Sequence, residues 1–393
     1  MDTQVKEVDS LIDKLEEWNR QGLAPTEIAL QMRRLLEYKA RMKGVPLRGT
    51  FELTPLCNLN CRMCYVHLTK QQMQKETLGL LPGTAWIGIM KQAVSQGMLE
   101  ATLTGGEALM HPDFDEIFQY LCENHVSVNL KSNGLLLSEE RVAFLKAHHL
   151  SSLQISVYGS DDESYERVTG KRVYQRVMDA ISLVRAAEIP LELVITPNKY
   201  IWPSLEKLIR MVAAMGIQYS VNPGLVEPLE ETGRNGENHD LTLDQYIQMN
   251  KMIAGLKGAV LSPLCESEIP SPGGSVTSEV TGMQCAAGRS VFSVTWRGQV
   301  HPCRMMEKIG FDGLAIPFAD GWREINAAVQ KYPFPRECIG CDFQMVCPSC
   351  AIQHAYGAQP GHANPAICRR AQRMLAEGFI TRVKEGEKYE EGI

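Results

Sequence analysis

No apolar run in this chain approaches the ~20 residues that a helix needs to cross a bilayer. The opening stretch, MDTQVKEVDS, lacks the basic region and apolar core of an export signal and is acidic instead. Positive charge is in deficit: 40 Lys and Arg stand against 46 Asp and Glu, a formal net charge of −6. No basic stripe interleaved with aromatics is present, which argues against a nucleic-acid partner. There is no sequence repeat and no low-complexity tract, and the nine histidines show no ligand spacing. His354 and His362 fall near the last cysteines and read as loop residues. These absences predict a cytoplasmic protein with no membrane and no nucleic-acid role. With 44% apolar and 22% charged residues, the composition is that of an ordinary globular protein, and 393 residues allow two or three domains.

What the chain does have is cysteine. Without a secretion signal, its twelve cysteines read as thiols or metal ligands rather than disulfides. Eight of the twelve lie between Cys265 and Cys368. Another three, Cys57, Cys61 and Cys64, form the run CNLNCRMC directly after an extended stretch. A structural zinc takes four protein ligands and disulfides need an even count. Three soft ligands on one short loop instead suit a cubane of four irons that keeps one iron open, with a zinc half-site as the alternative. Cys122, beside Phe118 and Leu121 on an expected helix, reads as a buried apolar thiol.

Residues 1–49 read as an N-terminal extension of two amphipathic helices, the first carrying Val8, Leu11, Ile12, Leu15 and Trp18, the second opening at Pro25-Thr26 and running toward Lys43. Their expected role is packing over the bottom or side of the next domain. From 50 to 223, β runs (50–56, 99–104, 126–132, 153–157, 191–195, 219–222) alternate with helical stretches. Six βα units predict a parallel sheet with right-handed crossovers, too few for a closed eight-stranded barrel. The expected fold is therefore α/β, a partial (β/α)6 barrel with function at the C-terminal ends of its strands. Residues 224–284 read as a linking region holding one helix capped by Thr242 and Gln245. Residues 285–380 read as a cysteine-rich domain, and 381–393 as a polar tail.

One βα unit after the cysteine loop stands Thr104-Gly105-Gly106-Glu107, pairing an acid with glycines that permit close backbone approach. The two motifs together resemble the radical S-adenosylmethionine (SAM) superfamily. That resemblance implies a 4Fe–4S cluster on Cys57, Cys61 and Cys64, with the GGE turn of Gly105, Gly106 and Glu107 at the methionine amino group. It also implies SAM contacts from Ser132 and Asn133 (ribose), from Ser156 and Arg167 (carboxylate and ribose), and from Met63, where many relatives carry an aromatic residue against the adenine. For Asn133 and Gly134 an ordinary strand-to-helix turn is an equal reading.

Further on, Cys285-x12-Gly298-x4-Cys303 precedes Cys338-x2-Cys341-x5-Cys347-x2-Cys350 and finally Cys368. This resembles the SPASM extension of radical SAM enzymes, which holds two auxiliary 4Fe–4S clusters. The resemblance gives Cys265, Cys285, Cys303 and Cys350 to the nearer cluster, and Cys338, Cys341, Cys347 and Cys368 to the outer one. Relatives usually have three residues between the positions of Cys347 and Cys350, whereas this chain has two, which leaves the ligand split open. If Cys265 does not ligate, the nearer cluster has an open iron for substrate or solvent. A pair of structural zinc sites is the alternative for this region.

SPASM-bearing relatives mostly modify ribosomally made peptides by crosslinking, thioether formation, oxidation or epimerisation, so the expected partners are a peptide substrate and a reductant such as flavodoxin or ferredoxin. A small-molecule substrate is the alternative, and a non-catalytic iron–sulfur electron carrier the alternative from another class. Anaerobic sulfatase-maturing enzymes share the architecture but place an acidic base after the cysteine corresponding to Cys303. Here that residue is Arg304, a poor base but able to hold a carboxylate.

Overall fold

The structure, a computed structural model, describes residues 24–76, 79–222, 239–256, 259–261, 285–339 and 361–379, and singly Trp18, Arg20, Gly22, Cys341, Cys347, Cys350, Ile352 and Gln359. The body of the first expected helix, Cys265, His354 and the 381–393 tail lie outside the described residues.

Ten strands make one sheet: β1 (Arg48–Glu52), β2 (Glu100–Thr104), β3 (Ser127–Ser132), β4 (Ser152–Ser156), β5 (Leu191–Ile195), β6 (Gln218–Val221), β7 (Ala259–Leu261), β8 (Val291–Val294), β9 (Gln299–His301) and β10 (Phe311–Asp312). From β1 to β7 the strands pair in sequence order and in parallel. On its other side β1 takes β8 in parallel, followed by β9 and β10 antiparallel. Among the described residues β7 and β10 do not pair with each other, so the barrel is partial and open.

Two differences from the sequence reading have physical causes. The first strand is Arg48–Glu52 rather than 50–56. Leu53 N–H makes the last bond to β2, at Thr104 O (2.9 Å), and Pro55 beyond it has no N–H to donate. The region expected as a link also supplies a seventh parallel strand, β7, preceded by the expected helix Leu243–Ala254 with its Thr242–Gln245 capping box. A three-residue strand pairing with distant β6 leaves no alternation to read.

Side-chain alternation gives the sheet two unlike faces. Phe51, Leu103, Leu130, Leu153, Ile155, Leu193, Ile195 and Phe292 are all at most 1% exposed, on the face that the helices cover. Phe51 there meets Trp86 and Phe292 edge-on, at 6.3 and 5.8 Å between ring centroids; burying a side chain of this size stabilises by roughly 1.5–3 kcal/mol. The residues between them, Thr50, Glu52, Thr102, Asn129, Lys131, Gln154 and Glu192, line the opposite face, where Gln154 donates to Glu192 (2.6 Å). A polar inner face suits a substrate cavity rather than a packed core.

The helix Pro25–Lys43 crosses the N-terminal ends of the first strands. Its Arg33 reaches Glu100 at 3.2 Å and its Glu37 lies 3.8 Å from Arg48, the opening residues of β2 and β1. The second expected helix therefore does pack over the bottom of the barrel, opposite the strand ends that carry the thiols.

Candidate functional site

The cysteine loop leaves β1 and is fastened at its middle. Asn60 N–H donates to Thr169 O and Arg62 N–H to Val168 O, both at 3.0 Å, binding the loop to the end of the helix Asp162–Thr169. The Gly105-Gly106 turn lies against its entrance. A Cβ on Gly105 would stand 2.4 Å from Thr54 O, and one on Gly106 would stand 2.4 Å from Leu56 O. Gly105 also has φ +141°, a conformation that favours glycine.

This close approach sets Glu107 into the interior at 1% exposure. Its Oε1 accepts from Leu109 N–H (3.3 Å); Oε2 accepts from Asn133 N–H (2.8 Å) and Ser132 Oγ (3.2 Å). Burial pushes its carboxyl up to about 7, and these hydrogen bonds oppose the rise. Asn133 in turn donates from Nδ2 to Asn58 Oδ1 (2.6 Å) and to Cys57 Sγ (3.5 Å), and Leu59 N–H points at the same sulfur (3.4 Å). The turns after β2 and β3 and the cysteine loop thus converge on Cys57. The Asn133 turn is more than a local device, because its side chain spans two elements.

Cys61 and Met63 are buried and Cys57 and Cys64 half-buried in the same core. Burial, with Glu107 and Cys64 nearby, pushes the Cys57 thiol up to about 12. Such a thiol becomes a thiolate only when a cation arrives to compensate it. Ser156 bonds the Tyr158 hydroxyl, and Tyr158 is pushed well above the usual phenol range by burial, with Cys61, Cys64 and Cys57 adding to the rise. No sequence signal marked Tyr158, which is drawn to the thiols only by the fold. Arg167 Nε is buried with no hydrogen-bond partner among the described residues.

The later thiols fall into two groups. Cys303 feels Cys285 and Cys350, which with burial push it up to about 12. Cys338 feels Cys347, Cys368 and Cys341, and burial again leads the rise to about 12. The sequence expectation sets Cys265, Cys285, Cys303 and Cys350 at one site and Cys338, Cys341, Cys347 and Cys368 at the other, with Cys265 outside the described residues. Yet among the described residues no three His, Cys, Asp or Glu side chains converge on a single ion-sized point. Sets of three or four thiols are a donor chemistry that suits zinc and iron–sulfur clusters alike. His362 is held by Glu337 (2.8 Å), a loop contact as expected.

The sequence reading also missed a buried set beside the cysteine loop. Tyr65 donates to Glu52 Oε1 (2.8 Å) and Arg304 Nε lies 3.0 Å from the same oxygen. A lone acid closing the strand RGTFE was the available signal.

Residues 51–212 match the family model for the Radical SAM superfamily. The chain carries a radical SAM domain. It is 26% identical over 340 residues to the AdoMet-dependent heme synthase of Methanosarcina barkeri, taking in 81% of this chain and 94% of that protein. To the sporulation killing factor maturation protein SkfB of Bacillus subtilis it is 31% identical over 156 residues, 39% of this chain and 37% of SkfB. Its fold is that of Streptococcus suis SuiB bound to S-adenosylmethionine, with a TM-score of 0.67 at 15% identity, over 93% of this chain and 88% of SuiB. Among the described residues no helix is long and apolar enough to cross a membrane.

Proposed function

We propose that this chain is a radical SAM peptide maturase, with a SAM-binding 4Fe–4S cluster on Cys57, Cys61 and Cys64. In this reading auxiliary 4Fe–4S clusters sit on Cys285, Cys303 and Cys350 and on Cys338, Cys341, Cys347 and Cys368. The observation that carries it is the convergence of the GGE turn and Asn133 on Cys57, which brings a buried acid and a polar turn beside three thiols. When bound, cluster and SAM supply a 5′-deoxyadenosyl radical that takes a hydrogen atom from substrate.

The chain's own residues hold the cofactor and shield it. Glu107 Oε1 keeps a lone pair after its bond to Leu109, available to the SAM ammonium. The unpartnered Nε of Arg167 suits the carboxylate, and buried Met63 offers an apolar face to the adenine. Ser132 and Asn133 preset the ribose turn by their bonds to Glu107. The polar inner face, with Lys131, Gln154 and Glu192, suits a peptide backbone with its dense donors and acceptors. SkfB is named as a sporulation killing factor maturation protein, and SuiB has been solved bound to the precursor peptide SuiA.

A second reading rests on the heme synthase of M. barkeri, matched over 94% of its length: a heme precursor in place of a peptide. The experiment is anaerobic reconstitution with iron and sulfide, then dithionite and SAM. Release of 5′-deoxyadenosine supports catalysis, and zinc in place of iron refutes it. Mass spectrometry of a short precursor peptide encoded nearby, after co-expression, separates peptide from heme-precursor chemistry.

A further inference from the structure

Glu52, Tyr65 and Arg304 link the cysteine loop to the segment that follows Cys303. Tyr65 is peptide-bonded to Cys64 and Arg304 to Cys303, while Glu52 ends β1 at 1% exposure. Glu52 Oε1 accepts from the Tyr65 hydroxyl (2.8 Å) and faces Arg304 Nε (3.0 Å). Arg304 Nη1 also reaches Glu307 (2.5 Å), and its guanidinium carbon lies 5.3 Å from the Tyr65 ring centroid. The Arg304 Nε–H does not align on Glu52, so that contact is charge attraction rather than a hydrogen bond, and Glu52 Oε2 has no hydrogen-bond partner among the described residues.

A buried, imperfectly bonded ion pair is a poor way to gain stability, because desolvation offsets most of the attraction and an apolar pair would hold the loops as well. What it supplies is a fixed charge distribution. Glu307 balances Arg304 weakly, since its side chain is 53% exposed and solvent screens it, whereas Glu52 at 2% is not screened.

We propose that Glu52, Tyr65 and Arg304 form a positioning and charge-balancing unit that couples the SAM-side thiol site to the nearer auxiliary site and sets the field Arg304 exerts on both. This rests on the reading that both sites hold iron–sulfur clusters. Cluster reduction adds negative charge, so an unbalanced cation nearby favours the reduced form.

The test is an EPR-monitored redox titration of the anaerobically reconstituted full chain. Glu52→Gln is expected to move the midpoints of both clusters to more positive potential at unchanged iron and sulfide content, with Glu52→Asp returning them toward wild type. The double variant Glu52→Gln/Arg304→Met removes both charges and is expected to fall back near the wild-type values, and it remains informative if either single variant folds poorly. Midpoints unmoved by Glu52→Gln in protein loaded at both sites overturn the coupling while leaving the proposed function standing. Wild-type protein that takes up no cluster at Cys285, Cys303 and Cys350 overturns the auxiliary reading and the coupling with it.

Discussion

Replacing Gly106 by Ala puts one methyl group where the fold has no room. Its Cβ would lie 2.4 Å from Leu56 O and 2.7 Å from both Leu56 C and Pro55 O, against a floor of about 3.0 Å for real contacts, so something must move by at least 3.0 − 2.4 = 0.6 Å. The obstructing atoms are backbone, and Leu56 O is already bonded to Glu107 N–H (2.9 Å), so no flexible side chain can swing away. Overpacking of this kind costs about 1–3 kcal/mol. The displacement also falls between Glu107 and the cysteine loop, so iron uptake should fall together with stability. Gly88 provides the control: it lies inside the helix Gly83–Ser95 with nothing within 4 Å of an added Cβ, and Gly88→Ala should stabilise by up to about 1 kcal/mol. Urea unfolding of the apo protein, followed by circular dichroism, reads both signs, and iron and sulfide analysis after reconstitution reads the site. A Gly106→Ala protein with a wild-type or higher midpoint and a full iron complement would refute the argument that the turn must touch the loop.

Three further outcomes are expected. Glu107 holds its proton to about pH 7 in the folded apo protein against 4.5 ordinarily, so its contribution to stability is complete below about 4.5 and is lost as pH rises through 7; the span is at most on the order of 3 kcal/mol. Glu107→Gln should flatten that part of the urea-midpoint profile, and a variant that kept the wild-type slope would count against it. Asn133→Ala strips Cys57 and Asn58 of one shared donor and should cost about 1–2 kcal/mol, with weaker SAM binding by equilibrium dialysis. Alanine at Cys57, Cys61 and Cys64 together should abolish 5′-deoxyadenosine release while the later thiols still take up iron, and undiminished nucleoside release would sink the assignment.

The cysteine loop and the βα rhythm were legible because both are local. Cys57, Cys61 and Cys64 share one short loop, and the apolar strands recur at readable intervals, so covalent spacing alone nearly decides what they can do. The Thr242–Gln245 cap was readable for the same reason, being a bond across three residues. By contrast β7 offered three residues and a partner 40 positions away in Tyr219↔Ala259, so nothing nearby announced it.

The amino-acid order by itself pointed to the kind of chemistry: three thiols on one loop, an odd number for disulfides and one short of a structural zinc site, followed one unit later by an acid on a glycine turn. It left undecided which distant groups would share a space. Cys350 stands three residues beyond Cys347 yet interacts with Cys303, and Arg304, open to a substrate carboxylate on sequence grounds, turned out to face Glu52 and Glu307. Only the tertiary structure decides such matters, because β8 pairs beside β1 and the chain that follows it sets Arg304 against Glu52 on that neighbouring strand. The reason is physical: ligand spacing is written in bond lengths, but charge balance depends on which atoms the folded sheet encloses together.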